Sequence, residues 1–480
     1  MSVAHEAGAL HGAPPRPGPA WLAAPDHPDT LVRGLWSLNA AKDDDGVLTV
    51  AGVAVTEIAE RFGTPAYVLD VADFRARLAA YRDAFRSAFA LSRGLAGAQV
   101  FYAGKAFLCV AAARWVAEAG VGLDVCTGGE LAVALRAGFP PDRLELHGNN
   151  KSVEEIDRAV RAGVATIVLD AAEEIERVAA AARRAGRRVE VLVRVTVGVE
   201  AHTHSYIATA HEDQKFGFGL ADGSADRAVE SVLSHPELRL TGLHSHIGSQ
   251  IFDTAGFAVS AGRLIGLRAR LLARHGPALP DGLPHLGLGG GFGMAYTTAD
   301  DPADPVELAG QMADVVAREC TAHGTSVPTV SVEPGRAVAG PSTHTLYTVG
   351  TVKQVPLDGG HHRAYVAVDG GMSDNVRPAL YGAPYSATRA NRTSAAGSAL
   401  SRVVGKHCES GDVLVWDEYL PADLVPGDLV AVPGTGAYCR SMSSQYNHVP
   451  RPPVLAVEDG RVRPVVRRET EADLLALELD

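Results

Sequence analysis

The segment Val100-Phe101-Tyr102-Ala103-Gly104-Lys105-Ala106 carries one lysine out of an apolar, strand-like run into a turn of small residues. Lysine is scarce in this chain. Beyond Lys105 there are only Lys42, Lys151, Lys215, Lys353 and Lys406, and arginine supplies the other positive charge. A lysine at a buried strand end is expected to lose its solvation, which disfavours the ammonium form. A neutral amine is what imine formation with an aldehyde requires. A lysine that only snorkels from a strand end has the same local sequence, so Lys105 has to be weighed with its companions. Asp124, His246 and Glu333 also close apolar runs, and Gly289-Gly290-Gly291 offers backbone amides that can cradle an anion. Each has an ordinary structural alternative: a helix cap for Asp124 or Glu333, a core imidazole for His246, a plain turn for the glycines.

Such residues need a scaffold that gathers distant positions. An amphipathic helix is expected over Phe74 to Phe89, followed by short apolar runs that alternate with helical spacing. The runs are Val100-Tyr102, Leu123-Val125, Leu144-His147, Thr166-Leu169, Val189-Val195, Leu240-His246, His285-Leu288 and Thr329-Val332. The helices between them include Leu108-Ala119, Gly129-Ala137, Val153-Ala162, Ala171-Ala185, Ala255-His275 and Val306-His323. Eight strands separated by helices suit a (β/α)8 TIM-like barrel, with a doubly wound open sheet as the competing α/β fold. Lys105, Asp124, His246, the glycine run and Glu333 fall at or after the C-terminal ends of different strands, the face on which barrels carry chemistry. Phe292 breaks the Gly-x-Gly-x-x-Gly pattern, which argues against a dinucleotide fold. After Pro341 the texture turns to β runs split by Gly-, Pro- and Asp-rich turns: Thr345-Val352, Ala364-Val368, Val413-Trp416, Leu429-Val432 and Val454-Val457. The expected layout is a flexible extension (1–30), an N-terminal part of the β domain (31–70), the barrel (71–341) and a mainly antiparallel C-terminal β domain (342–480).

The chain has 480 residues, enough for two domains, with 46% hydrophobic and 21% charged residues. A net charge of -12 argues against nucleic acid as the main partner. No apolar run is long enough to cross a membrane, and Met1 to Ala24 lacks the basic start and apolar core of a secretory signal. Cys109, Cys126, Cys320, Cys408 and Cys439 are scattered and odd in number, so neither disulfides nor a metal site is expected and a reducing cytoplasm fits.

Six motifs, in order and at family spacing, resemble those of the diaminopimelate decarboxylase family, a branch of the fold III pyridoxal-phosphate enzymes. They are Tyr102-Ala103-Gly104-Lys105-Ala106, His147-Gly148-Asn149-Asn150-Lys151, Gly242-Leu243-His244-Ser245-His246-Ile247-Gly248-Ser249, Glu333-Pro334-Gly335-Arg336, Cys408-Glu409-Ser410-Gly411 and Gly436-Ala437-Tyr438. The match runs from about residue 31 to the end. It implies that Lys105 holds pyridoxal 5'-phosphate as an imine, and that Glu333 faces the pyridine nitrogen and keeps it protonated. It implies that His246 stacks on the ring and that Asp124 sits near the lysine or the cofactor hydroxyl; His244, alternating with His246, is expected to face the other way. Ser249, Gly290, Gly291, Gly335, Arg336 and Tyr438 are the implied cofactor and phosphate ligands. Cys408 is the implied general acid, a thiol with a reference pKa of about 8.5. Its Cys-Glu loop is implied to enter a neighbouring subunit, giving a homodimer with a composite active site. Arg377, with Arg336, Tyr381 and Tyr438, is the implied site for a distal carboxylate, and Glu409 for a distal ammonium. The segment His202 to Gly217 resembles a family stretch near the site. The implied reaction is meso-2,6-diaminopimelate to L-lysine and CO2. Other fold III decarboxylases, acting on ornithine, arginine or a modified amino acid, are the alternative. A non-catalytic relative would be expected to lose Lys105 or Cys408, and this chain keeps both.

Overall fold

The computed structural model describes residues 18–198, 215–279 and 281–479. Two compact units emerge. One is built from Arg75–Met294 and Pro302–Val338, the other from the described residues up to Phe74, Ala295–Asp301 and the chain from Ala339 onward.

The first unit is a closed ring of eight parallel strands: β1 (Ala98–Ala103), β2 (Gly122–Val125), β3 (Leu144–Leu146), β4 (Thr166–Leu169), β5 (Val189–Thr196), β6 (Leu238–His244), β7 (His285–Gly287) and β8 (Thr329–Val332). Closure comes where β8 pairs with β1, Val332 opposite Val100, and where β4 pairs with β5. The open doubly wound sheet is thereby excluded. The strands read as apolar runs because a parallel sheet is covered on both faces. Among the helices, Val153–Ala162 shows how local sequence aims the loops. Ser152 accepts from the Glu155 amide, the Glu155 carboxylate accepts from the Ser152 amide, and Gly163 ends the helix in the left-handed region. Those caps fix the exit of the loop His147–Lys151 that follows β3.

One helix, Ser224–Leu233, has no counterpart in the sequence reading. Its buried face is Ala225, Ala228, Val229 and Val232, at correct helical spacing. The face is made of small residues and is preceded by Gly219-Leu220-Ala221-Asp222-Gly223, a stretch with turn composition.

The second unit is a mainly antiparallel sheet centred on the long strand Thr343–Pro356. Ala66–Asp70 lies antiparallel to it, Thr343 opposite Leu69, and parallel to Val454–Glu458 on its other side. The N-terminal segment thus completes the β unit, around a core that includes Leu48, Ile58, Val68, Leu346, Leu455 and Val457. The strands Ser398–Val404 and Arg461–Val466 lack a clear alternating signal and were not expected. Residues 1–17 of the expected extension lie outside the described residues, but part of the remainder is packed. Asp29 is buried and its carboxylate accepts from the Ser394 amide at 2.6 Å. Among the described residues no helix is long and apolar enough to cross a membrane.

Candidate active site

In the barrel unit, Lys105, Asp124, His246, Gly289–Gly291 and Glu333 all lie at the C-terminal ends of strands. Lys105 occupies the turn after β1. Its backbone is pinned: the Gly104 amide donates to the Asp124 carbonyl at 2.9 Å, and a Cβ on Gly104 would meet that oxygen at 2.8 Å. The side chain is exposed, not buried, so the desolvation expected of it does not hold in this structure. The desolvated lysines are Lys42, which burial pushes down to about 8, and Lys151, buried with Nζ 2.7 Å from the Gly148 and Val168 carbonyls and 2.5 Å from Glu174. Burial pushes that amine below its ordinary range while Glu174 pulls it back.

Behind the turn sits a buried polar cluster. His244 Nε2 is 2.8 Å from Glu333 Oε1. His147 Nε2 lies 3.4 Å from Glu145, 3.9 Å from Asp124 and 3.9 Å from Glu333. Burial alone would raise the Glu333 carboxyl, but His244 and His147 facing it outweigh burial and hold it below the usual carboxylate range. Burial pushes Asp124 and Glu145 the other way, and the nearby Glu333 charge adds to the rise. Of the three carboxyls, only Glu333, which follows β8, is held down while the other two are pushed up. Asp124 is not a helix cap, since Thr127 caps the next helix. His244 does not face away: residues two apart on a strand share a face, and His244, the last residue of β6, turns to Glu333. His147, His244 and Glu333 also bring three nitrogen or oxygen atoms within 4.8 Å of one another, a spacing that can hold a cation and that no residue pattern announced.

His246 accepts the Gly290 amide at Nδ1, 3.1 Å, and burial pushes its imidazole well below its ordinary range. It is a neutral ring with its proton on Nε2. The glycines are there because the loops touch. Gly289 and Gly291 have φ of 72° and 102°, and a Cβ on Gly291 would run into the Gly248 carbonyl, one on Gly290 into the Glu333 carbonyl. Gly335 likewise packs on Ala103, where an added Cβ would stand at 2.9 Å. Arg336 opens the short helix after β8 and donates from Nη2 to Ser249 Oγ at 2.7 Å.

The remaining predicted residues lie in the β unit. Arg377 is buried, donates from Nη1 to the Tyr385 hydroxyl at 2.5 Å, and stands 4.8, 5.7 and 5.9 Å from the rings of Tyr296, Tyr385 and Tyr438. Tyr381 shares the helix Arg377–Tyr381 but is not one of those rings. Cys408 and Glu409 are exposed on the loop between Ser398–Val404 and Val413–Pro421. That loop is anchored at its base. Asp412 accepts the Met372 and His407 amides, and His407 is 2.8 Å from the Ser373 hydroxyl. The stretch 202–214 lies outside the described residues.

Sequence reasoning missed the roles of Glu145, His147, Arg194, His244, Tyr296, Tyr385 and Cys439. Two had a signal. Glu145 and Arg194 are charged residues inside largely apolar strands, and Arg194 proves buried, 3.6 Å from Asp170 with Phe216 stacked on it at 4.4 Å.

A closed eight-stranded parallel barrel whose strand ends gather a lysine, a buried histidine–carboxylate cluster and a glycine turn beside an arginine–serine pair is the frame of a barrel enzyme. Residues 73–340 match the pyridoxal-binding domain of the pyridoxal-dependent decarboxylases. The chain is 54% identical to the diaminopimelate decarboxylase of Mycobacterium tuberculosis over 94% of its length and 98% of the relative's. It is 45% identical to that of Bacillus subtilis, covering 91% and 96%. The crystal structure of the M. jannaschii diaminopimelate decarboxylase with L-lysine superposes with a TM-score of 0.83 at 28% identity, covering 92% of this chain and 98% of that one. The chain belongs to the diaminopimelate decarboxylase family.

Proposed function

We propose that the protein decarboxylates meso-2,6-diaminopimelate to L-lysine and CO2, with pyridoxal 5'-phosphate as cofactor, as a cytoplasmic homodimer. The donor set fits that cofactor: an exposed lysine amine, an ionised carboxylate held in a buried cluster, a neutral imidazole, and a glycine turn beside an arginine–serine pair. When bound, the cofactor supplies a protonated aromatic ring that accepts the electron pair released as the Cα–carboxylate bond breaks. Lys105 Nζ is the amine that would hold the cofactor through its aldehyde carbon. Glu333 would face the ring nitrogen and favour its protonated form, and His246 would stack on the ring. Ser249, Arg336, Tyr438 and the amides around Gly290, Gly291 and Gly335 take the phosphate. Asp124 stands by the lysine. Cys408 Sγ gives a proton to Cα after CO2 leaves, and its exposure on an anchored loop suits a group that serves a partner subunit's site. Glu409 takes the distal ammonium, and Arg377, with Arg336 and Tyr381, the distal carboxylate.

The substrate choice rests on Arg377. It is a buried guanidinium whose partners are phenols and a thiol, and among the described residues no carboxylate pairs with it. Leaving a buried cation without an anion is costly, and a substrate carboxylate removes that cost. Ornithine and arginine have no second carboxylate to offer. The test is a substrate panel on cofactor-loaded protein, with CO2 and L-lysine measured. Release from meso-diaminopimelate, lost in Arg377→Ala, is expected. No CO2 from meso-diaminopimelate would overturn the assignment.

A further inference from the structure

Arg377 is held by a closed hydrogen-bonded circuit. Its Nη1 donates to the Tyr385 hydroxyl at 2.5 Å. That hydroxyl lies 3.6 Å from the Cys439 thiol, which donates to Asn375 Oδ1 at 3.4 Å. Asn375 Oδ1 also accepts the Arg377 backbone amide at 3.4 Å, so the circuit begins and ends on the same residue. Tyr385, Cys439 and Asn375 are all buried. Tyr296 lies under the guanidinium at 4.8 Å and meets the Tyr385 ring edge-on at 5.0 Å. None of Tyr296, Tyr385 and Cys439 had been singled out in the sequence.

A guanidinium offers five donors in a rigid fork. Here one arm is committed to a phenol, and the plane is set by an aromatic face. An arginine so fixed presents its remaining edge in one orientation, at little entropic cost on binding. An untethered arginine would have to be ordered by the ligand itself. Tyr385 is suited to the tethering task because a neutral hydroxyl orients the fork without neutralising it. A carboxylate in its place would compete with the ligand for the charge.

We propose that Tyr385, supported by Cys439 and Tyr296, is a positioning residue that aims Arg377 at the carboxylate of the substrate's non-reacting end, and so sets selection for an amino-acid terminus over a bare amine. This rests on the assignment of Arg377 to the distal carboxylate. Two probes separate the ideas on the cofactor-loaded enzyme: L-lysine, which carries that carboxylate, and cadaverine, the same chain without it. Dissociation constants for both are measured by titrating the visible cofactor band, which needs no turnover, in wild-type, Tyr385→Phe, Cys439→Ala and Arg377→Ala proteins.

Tyr385→Phe keeps the ring and removes one hydroxyl. It should weaken L-lysine about tenfold, the scale of one hydrogen bond to a charged group, with cadaverine unchanged. KM for meso-diaminopimelate should rise by a similar factor, with kcat moving less. Cys439→Ala should shift L-lysine the same way by a smaller factor, which keeps the test open if Tyr385→Phe folds poorly. If Arg377→Ala weakens L-lysine while both tethering variants leave the lysine-to-cadaverine ratio at its wild-type value, the positioning role is overturned and the Arg377 assignment stands. Equal weakening of both ligands in Tyr385→Phe marks general damage and also overturns it. If Arg377→Ala leaves the ratio untouched, the distal-carboxylate reading itself falls.

Discussion

Replacing His244 by leucine should destabilise the cofactor-free protein by about 3 kcal/mol at pH 8 and by clearly less at pH 6. The magnitude follows from the pair it breaks. His244 Nε2 is 2.8 Å from Glu333 Oε1, and the two side chains are 1% and 4% exposed. Deleting one partner of such a buried pair typically costs roughly 3–5 kcal/mol, because a charge is left without compensation. The lower end applies, since His147 Nε2 stands 3.9 Å from the same oxygen and leucine leaves little cavity. The pH dependence follows from the sign of the shift. In the native protein Glu333 is held below the usual carboxylate range, so its contribution is fully present above about pH 4.3, the ordinary glutamate value, and is lost only in strong acid. Without His244, burial becomes the leading influence and the folded-state carboxyl rises. The folded protein then gains a proton as pH falls, which restores stability by up to about 1.4 kcal/mol per pH unit while the group titrates. The assay is urea unfolding of wild type, His244→Leu, Glu333→Gln and the double variant at both pH values. The cycle should give a coupling of about 2–3 kcal/mol at pH 8 that shrinks at pH 6. A deficit equal at the two pH values, or a double variant that is simply additive, would refute the reasoning.

Gly291→Ala should lose pyridoxal-phosphate affinity and about 2 kcal/mol of stability, because φ is 102° and the added Cβ meets the Gly248 carbonyl; Gly310→Ala, in a helix with open space around it, should be neutral or stabilising in the same melts. Asp374 is fully enclosed, and burial pushes its carboxyl up to about 7 despite the Tyr347 and Gly371 hydrogen bonds. Its folded-state pKa lies above the unfolded one, so the native state loses stability from about pH 4 to pH 7, by roughly 4 kcal/mol at most. Asp374→Asn should therefore gain on wild type as pH rises across that window in paired thermal melts, and a constant difference would remove Asp374 as the cause. Cys408→Ala should lower kcat by about a hundredfold or more while leaving the melting temperature and the visible cofactor band unchanged, since the thiol is exposed; an equal fall in cofactor content would point to a structural role instead.

The barrel was legible because its strands are continuous apolar runs of the length a twice-covered sheet needs, punctuated by caps such as Ser152 and Gly163. The glycine run was legible for a similar reason: backbone packed on backbone tolerates only glycine, and that requirement is written in the residue type. Ser224–Leu233 was not legible, because alanines bury a helix face without making it look apolar. The long-range pairing of Ala66–Asp70 with Thr343–Pro356 left only a shared β texture, with no information on register.

The two misjudged side chains show where local reading of a site gives out. Lys105 was chosen for a burial it does not have, and what singles it out in the structure is a backbone pinned by Gly104 and Asp124 beneath an exposed amine. Burial and lowered basicity are found instead at Lys42 and Lys151, and Lys151, tied to Glu174 and two carbonyls, serves the scaffold. His244 was turned away from the site by a misapplied alternation: residues two apart on a strand share a face, so His244 and His246 are not separated by it. His244 closes β6 and reaches Glu333 just after β8, and His246, past the end of the strand, reaches the Gly290 amide after β7. The charge state of Glu333 is thus set by an imidazole from β6 and another from the loop after β3. Residue type can nominate the carboxylate, but only the closed ring of strands decides which of three buried acids is held low and which are pushed up.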